Sequence, residues 1–127
     1  MAKRIATLLG AVFILVGIVG FLKHDLLGAH LSTTHNIIHL VSGALALYFG
    51  LKGTVAQAKL FCIIFGIVYA LLGVVGYLMG DPDRDRLWRV MEGLDLGRMD
   101  HIIHILLGVL FLIGGFMTRG DVGRATD

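Results

Sequence analysis

Charge is scarce in this chain, and so are the residue types on which most soluble chemistry is built. Only 16% of the 127 residues are charged, and the formal net charge is +2. That is too little to hold nucleic acid, and no stretch alternates aromatic with basic residues as a nucleic-acid surface does. The one cysteine, Cys62, lies inside an apolar run, so no disulfide within the chain is available and the redox compartment stays open. No cationic neighbour in sequence activates its thiol, which argues against nucleophilic catalysis. The ligand patterns CxxC, HExxH and ExxH are all missing.

What is abundant is apolar sequence. Hydrophobic residues make up 57% of the chain, and the mean hydropathy is +0.86. This balance points to a membrane protein, because too little polar sequence remains to cover a soluble core. Four apolar stretches predict spans at about 5–22, 35–51, 60–79 and 100–118. At about 1.5 Å per residue the stretches reach roughly 23–30 Å, enough for a bilayer core when their flanks are included. The first follows Lys3 and Arg4, as a signal peptide would. No small-x-small cleavage site follows it, since Leu22, Lys23 and His24 stand there, and the segment is expected to be retained. The residues after Thr118, 119–127, read as a disordered tail.

The chain repeats itself. Residues 26–43 align on 91–108 without a gap at an offset of 65, pairing Gly28 with Gly93, His39 with His104 and Gly43 with Gly108. The first and third spans repeat at an offset of 56, pairing Gly10, Gly17 and Gly20 with Gly66, Gly73 and Gly76. The difference of nine residues is an insertion between the third and fourth spans. Two hairpins that each cross twice enter from the same side, as parallel repeats about an axis along the membrane normal. The predicted fold is therefore all-α, an integral membrane four-helix bundle of two parallel helical-hairpin repeats forming one domain. Glycines recur seven apart in every span, giving stripes along which helix backbones approach closely. Such stripes serve contacts between chains as well as within one, so a homo-oligomer or a larger membrane complex stays open.

Orientation follows from the loops. The termini and middle loop hold six basic residues, Lys3, Arg4, Lys52, Lys59, Arg119 and Arg124, against five on the other face. The margin favours cytoplasmic termini. Within the insertion, Asp81, Pro82, Asp83 and Asp85 suit a helix start and Gly93 a helix end. Leu87, Trp88, Val90, Met91 and Leu94 fall on helical spacing, which predicts a short surface helix over 83–92 with Trp88 as anchor. A charged loop with a few apolar contacts is the other reading.

The chemistry-bearing residues gather at the outer ends of the second and fourth spans. His35 and His39 are four apart, as are Asp100 and His104, so each pair shares a helix face, and His101 lies three before His104. His39 and His104 sit about one turn inside their spans, where a polar side chain needs a partner and is a functional-site hypothesis by default. A helix N-terminus favours neutral imidazole, the form that binds metals, and ionised Asp100. Gly43 and Gly108, four residues beyond His39 and His104, leave a gap that suits either a flat macrocycle or a closely packed helix.

Three readings compete. In the first, the histidines bond to each other or to Asn36, Ser42 and loop carbonyls, and His35–Asp100 and His30–Asp95 are polar latches between the hairpins. In the second, His35, His39, Asp100 and His104 ligate zinc, copper or iron. In the third, His39 and His104 are axial ligands of a haem b, with Gly43 and Gly108 making room. An enzyme finds little support: a metal-activated water could hydrolyse a lipid or peptide, but no spare general base is evident. A transporter is equally hard to build, because Thr7, Ser42 and Cys62 are too few to line a path across the membrane.

The stretch His35-Asn36-Ile37-Ile38-His39-Leu40-Val41-Ser42-Gly43 resembles a bacterial family of small integral membrane proteins catalogued only as a domain of unknown function. The family pattern is apolar-His-Asn-x-x-His-x-x-x-Gly after a short loop, with Thr34 here in the preceding apolar place. The resemblance covers the four-span core and implies a multi-pass protein of the bacterial cytoplasmic membrane. It implies no activity, so His35, Asn36 and His39 carry over as pattern residues only, and Asp83 to Glu92 fall outside it. Together these features lead us to expect a small non-enzymatic membrane protein of structural or accessory role, in contact with the lipid bilayer. Its alternative is a haem- or metal-binding protein using the same cluster.

Overall fold

The computed structural model describes residues 1–119. Residues 120–127, which hold nearly all of the predicted tail, lie outside the described residues. Four helices carry the fold: α1 (Ala2–Leu22), α2 (Thr33–Leu51), α3 (Val55–Met79) and α4 (Arg98–Phe116). Three of them, α1, α3 and α4, are long and apolar enough to cross a membrane by length and composition. Helix α2 has the same 19 residues as α4, but His35, Asn36, His39 and Ser42 dilute its apolar content. All four of those side chains are buried. Its outward face, with Ile37, Val41, Leu45, Tyr48 and Leu51, is as apolar as those of its neighbours.

The helix starts are set by side chains that satisfy free backbone N–H groups. Ser32 Oγ accepts from His35 N at 3.2 Å, and Thr54 and Gln57 form a reciprocal capping box at 3.1 and 3.0 Å. On α4 the cap is reversed: Asp100 Oδ2 accepts from Gly97 N at 2.8 Å.

Helix α1 packs chiefly on α2, and α3 on α4. Glycine makes both contacts backbone-close. A β-carbon at Gly10 would stand 2.9 Å from Leu47 N, and one at Gly66 the same 2.9 Å from Leu112 N. At Gly50 it would meet Thr7 N at 2.7 Å and Lys3 O at 3.0 Å; at Gly115, Ile63 N at 3.1 Å and Lys59 O at 3.3 Å. Further up, Asn36 fills the notch at Gly20 and His101 the notch at Gly76. Between the pairs lies an aromatic column in which Phe111, fully buried, has Phe13, Phe61, Phe65 and Tyr69 within 6.0–6.5 Å, ring centre to ring centre. At the end holding the N-terminus, Ala2 N donates to Thr118 Oγ1 at 2.7 Å, and Lys59 Nζ donates to Thr118 O at 3.0 Å.

The insertion is not the surface helix expected over 83–92. It is an antiparallel hairpin of β1 (Trp88–Met91) and β2 (Leu94–Leu96), joined at Glu92–Gly93. Gly93 has φ +81°, and Asp85 and Arg86 have φ +56° and +55°, left-handed values at which a helix cannot continue. The alternation that defines the second strand lies partly beyond the helical pattern: Leu94 and Leu96 point inward while Asp95 points out to Arg89. Val90 and Met91 are exposed on β1. What fixes the hairpin is its inner side, because Leu94 and Leu96 bury themselves against the ends of the helices.

Replacing Gly73 by Leu should separate α3 from α4, since its β-carbon would stand 2.6 Å from His101 O and 2.9 Å from Ile105 N. Overpacking of this kind costs about 1–3 kcal/mol. The thermal midpoint in detergent is expected to fall; an unchanged midpoint would contradict the close packing.

Candidate metal centre

The two helix starts lie side by side at the hairpin end. His35 occupies the third helical position of α2 and Asp100 the corresponding position of α4, and each is followed one turn later by a second histidine on the same face. The loop before α2 is fastened to α4 through Asp100, whose oxygens accept from His30 N at 3.0 and 3.2 Å as well as from Gly97 N. The carboxylate thus joins the two helix starts, which brings His35 and His39 against His104.

The three imidazoles meet. One ring nitrogen from each of His35, His39 and His104 lies within 4.8 Å of the others, and all three side chains are buried. Their rings touch without stacking, His35 tilted against His39 at 4.2 Å and edge-on to His104 at 5.7 Å. Phe13 covers His39 at 5.5 Å, and Tyr69 covers His104 at the same 5.5 Å. Phe13 and Tyr69 are themselves equivalent at the offset of 56. A cavity of about 50 Å³ borders all three histidines and Tyr69, closed above by Leu94 and Leu96. That volume holds an ion or a few water-sized groups.

Hydrogen bonding fixes one tautomer. His35 Nδ1 stands 2.8 Å from His30 O. A carbonyl only accepts, so Nδ1 carries the proton, and it is Nε2 that a neutral His35 ring would offer as acceptor. Among the described residues, four buried side-chain atoms have no hydrogen-bond partner: His39 Nδ1 and His104 Nδ1 in the cluster, and Asn36 Oδ1 and His101 Nδ1 outside it. Orphaned polar atoms of this kind are uncommon in a folded interior, and a bound water or ion is one way they are satisfied.

Of the four expected metal ligands, the structure brings three together and gives the fourth other work. Asp100 comes within 4.0 Å of His35 Nδ1, but its oxygens serve the N–H groups of His30 and Gly97. The expected His30–Asp95 latch is not made. Asp95 instead accepts two hydrogen bonds from Arg89, at 2.8 and 3.1 Å, and that guanidinium holds its carboxyl below the usual range. His30 Nε2 lies 3.9 Å from Asp85. The gap expected beside Gly43 and Gly108 is closed by helix packing: a β-carbon would meet Gly10 O at 2.8 Å from Gly43 and the Ala70 Cα at 2.8 Å from Gly108. His101 stays apart, donating from Nε2 to Arg86 O at 2.8 Å.

Sequence reasoning passed over Tyr69, whose hydroxyl lies 3.2 Å from Ser42 Oγ. Aligning it with Phe13, which faces His39, would have found it. No sequence signal marks the His30 carbonyl as the group that orients His35, because backbone atoms leave no trace in composition.

These features define a class: a helical protein with membrane-span-like helices, holding a buried three-histidine cluster beneath a β-hairpin cap. The chain belongs to the family described as domain of unknown function (DUF4383), whose model matches residues 3–117. No curated protein and no solved structure matches it.

Removing the carboxylate by Asp100→Ala strands two backbone donors, His30 N and Gly97 N, at the join between the helix starts. The expected loss is about 1–3 kcal/mol, measured as a lower unfolding midpoint, with Asp100→Asn intermediate because its amide oxygen still accepts. Wild-type stability in Asp100→Ala would mean that the join does not depend on this side chain.

Proposed function

We propose that this chain is a small metal-binding protein of the bacterial cytoplasmic membrane that holds one transition-metal ion between His35, His39 and His104. The observation that carries the reading is the meeting of three buried imidazoles within 4.8 Å, with the Nδ1 atoms of His39 and His104 lacking partners among the described residues. The orienting bond from His35 to a backbone carbonyl supports it, since metal-binding histidines commonly donate their other ring nitrogen in this way. Neutral nitrogen donors suit zinc or copper. Three protein ligands leave one position open for a ligand from outside.

In this reading α2 is a fourth span. It lies against α1 with an apolar outer face, and its polar side chains are turned inward. The two hairpins are parallel repeats of one bundle, as suggested by the recurrence of the Gly10–Leu47 and Gly50–Thr7 contacts at Gly66–Leu112 and Gly115–Ile63. The basic residues favour cytoplasmic termini, which sets the histidine centre at the outward face. Haem b is disfavoured, because the packing beside Gly43 and Gly108 and the rings of Phe13 and Tyr69 take up the space a macrocycle needs.

Elemental analysis of the purified chain should find one zinc or copper per molecule. His39→Ala and His104→Ala should lose it at least tenfold in affinity, while His101→Ala, outside the cluster, should retain it. A metal-free wild type that stays metal-free on addition of either ion would reject the proposal. A Soret band lost in both His39→Ala and His104→Ala would establish haem instead.

A further inference from the structure

The histidine cluster is closed toward water and approached from the side. Above it, Leu31, Leu94 and Leu96 are 2%, 7% and 1% exposed, so the hairpin and the loop before α2 seal the polar end. On its flank, a second cavity of about 180 Å³ runs between α1 and α4 and reaches His39 and His104 at its floor. Val16, Ile103 and Leu107 line it together with Leu26 and Ala29 of the loop before α2, and Val12, 46% exposed on the outer apolar surface, is the most exposed of its lining residues. A molecule arriving at the cluster by this route would come from the hydrocarbon phase.

From this geometry we infer that the crevice admits a lipid-phase phenol or hydroquinone of one ring with an apolar tail, whose hydroxyl oxygen takes the coordination position that three histidines leave open. This inference rests on the metal reading above. Three observations select the ligand. An apolar cavity of about 150 Å³ admits benzene, so the 180 Å³ here accepts one six-membered ring and little more. Its lining is almost wholly apolar, which excludes a charged or heavily hydrated head. Its only polar features are the two imidazoles and Asp100 at the floor, so a single hydroxyl on the ring finds every polar partner in one place. Neither Asp100 nor Tyr69 competes for the open position: the carboxylate is held by His30 N and Gly97 N, and the Tyr69 hydroxyl faces Ser42. A ring in the crevice would also lie against Phe13, where aromatic contacts favour it over a flexible alkyl chain.

The full chain in detergent, loaded with Co²⁺ as a spectroscopic stand-in for the native ion, provides the test. Titration with 2-decylhydroquinone should change the visible cobalt absorption saturably at one equivalent, while decanol leaves it unchanged. Val16→Trp should weaken the hydroquinone at least tenfold with cobalt content unaltered. If Val16→Trp loses cobalt as well, Val12→Phe, at the most exposed lining residue, carries the same expectation in its place. Bound cobalt whose spectrum ignores hydroquinone, or responds equally to decanol, overturns this inference and leaves the metal site standing. An unchanged affinity in the cobalt-loaded crevice variant overturns the route. A chain that binds no cobalt overturns the metal reading and this one with it.

Discussion

Backbone contact at the glycine notches is the constraint on which the rest of this molecule depends. Among apolar helices in an apolar surrounding, burial supplies no net pull, so association rests on dispersion and on the few polar contacts that close approach allows. Gly10 and Gly17 on α1, and Gly66 and Gly73 on α3, let the partner helix come in until backbone atoms approach, while Gly20 and Gly76 leave notches for partner side chains. The registers this fixes are specific. With Asn36 seated at Gly20 and His101 at Gly76, the residues three further on, His39 and His104, are carried to the same height and turned toward the middle.

The polar end is organised by one carboxyl group. Asp100 closes the start of its own helix and receives the N–H of His30 from the other pair, so two helix starts share an acceptor. The His30 carbonyl, held by the same loop, then sets the ring of His35. The hairpin completes the arrangement by laying Leu94 and Leu96 over the rings. In a space of low dielectric each of these interactions strengthens, and any polar atom left without a partner becomes costly. The buried nitrogens of His39 and His104 that lack partners among the described residues fall under this cost.

Equivalent positions have diverged where the chemistry lies. Under the sequence offsets, His35 corresponds to Asp100, Phe13 to Tyr69, Ser42 to Leu107 and Asn36 to His101. The glycines, by contrast, are retained in both copies. A repeated sequence thus carries a cluster of three histidines and one carboxyl group, where strict duplication would give two pairs of histidines. The third histidine, His35, is what brings the cluster to three imidazoles.

Much of this was readable in the chain. Apolar runs and glycine spacing announce helices that pack by close approach, because both follow from local composition and a 3.6-residue period. The paired His39 and His104 announce a polar focus, since a repeat carries its residues to equivalent places. Three matters were decided only by the tertiary structure. The insertion pairs as strands because Leu94 and Leu96 find a surface to cover, and that surface leaves no mark in the local spacing of the insertion. Gly43 and Gly108 serve helix packing because Gly10, Ile14 and Ala70 reach them from the neighbouring helix, contacts that lie 29 to 38 residues away along the chain. Asp100 fastens the loop because the nearest free N–H groups belong to His30 and Gly97. Sequence fixes which atoms can donate and accept; only the packed chain determines which of them come within reach.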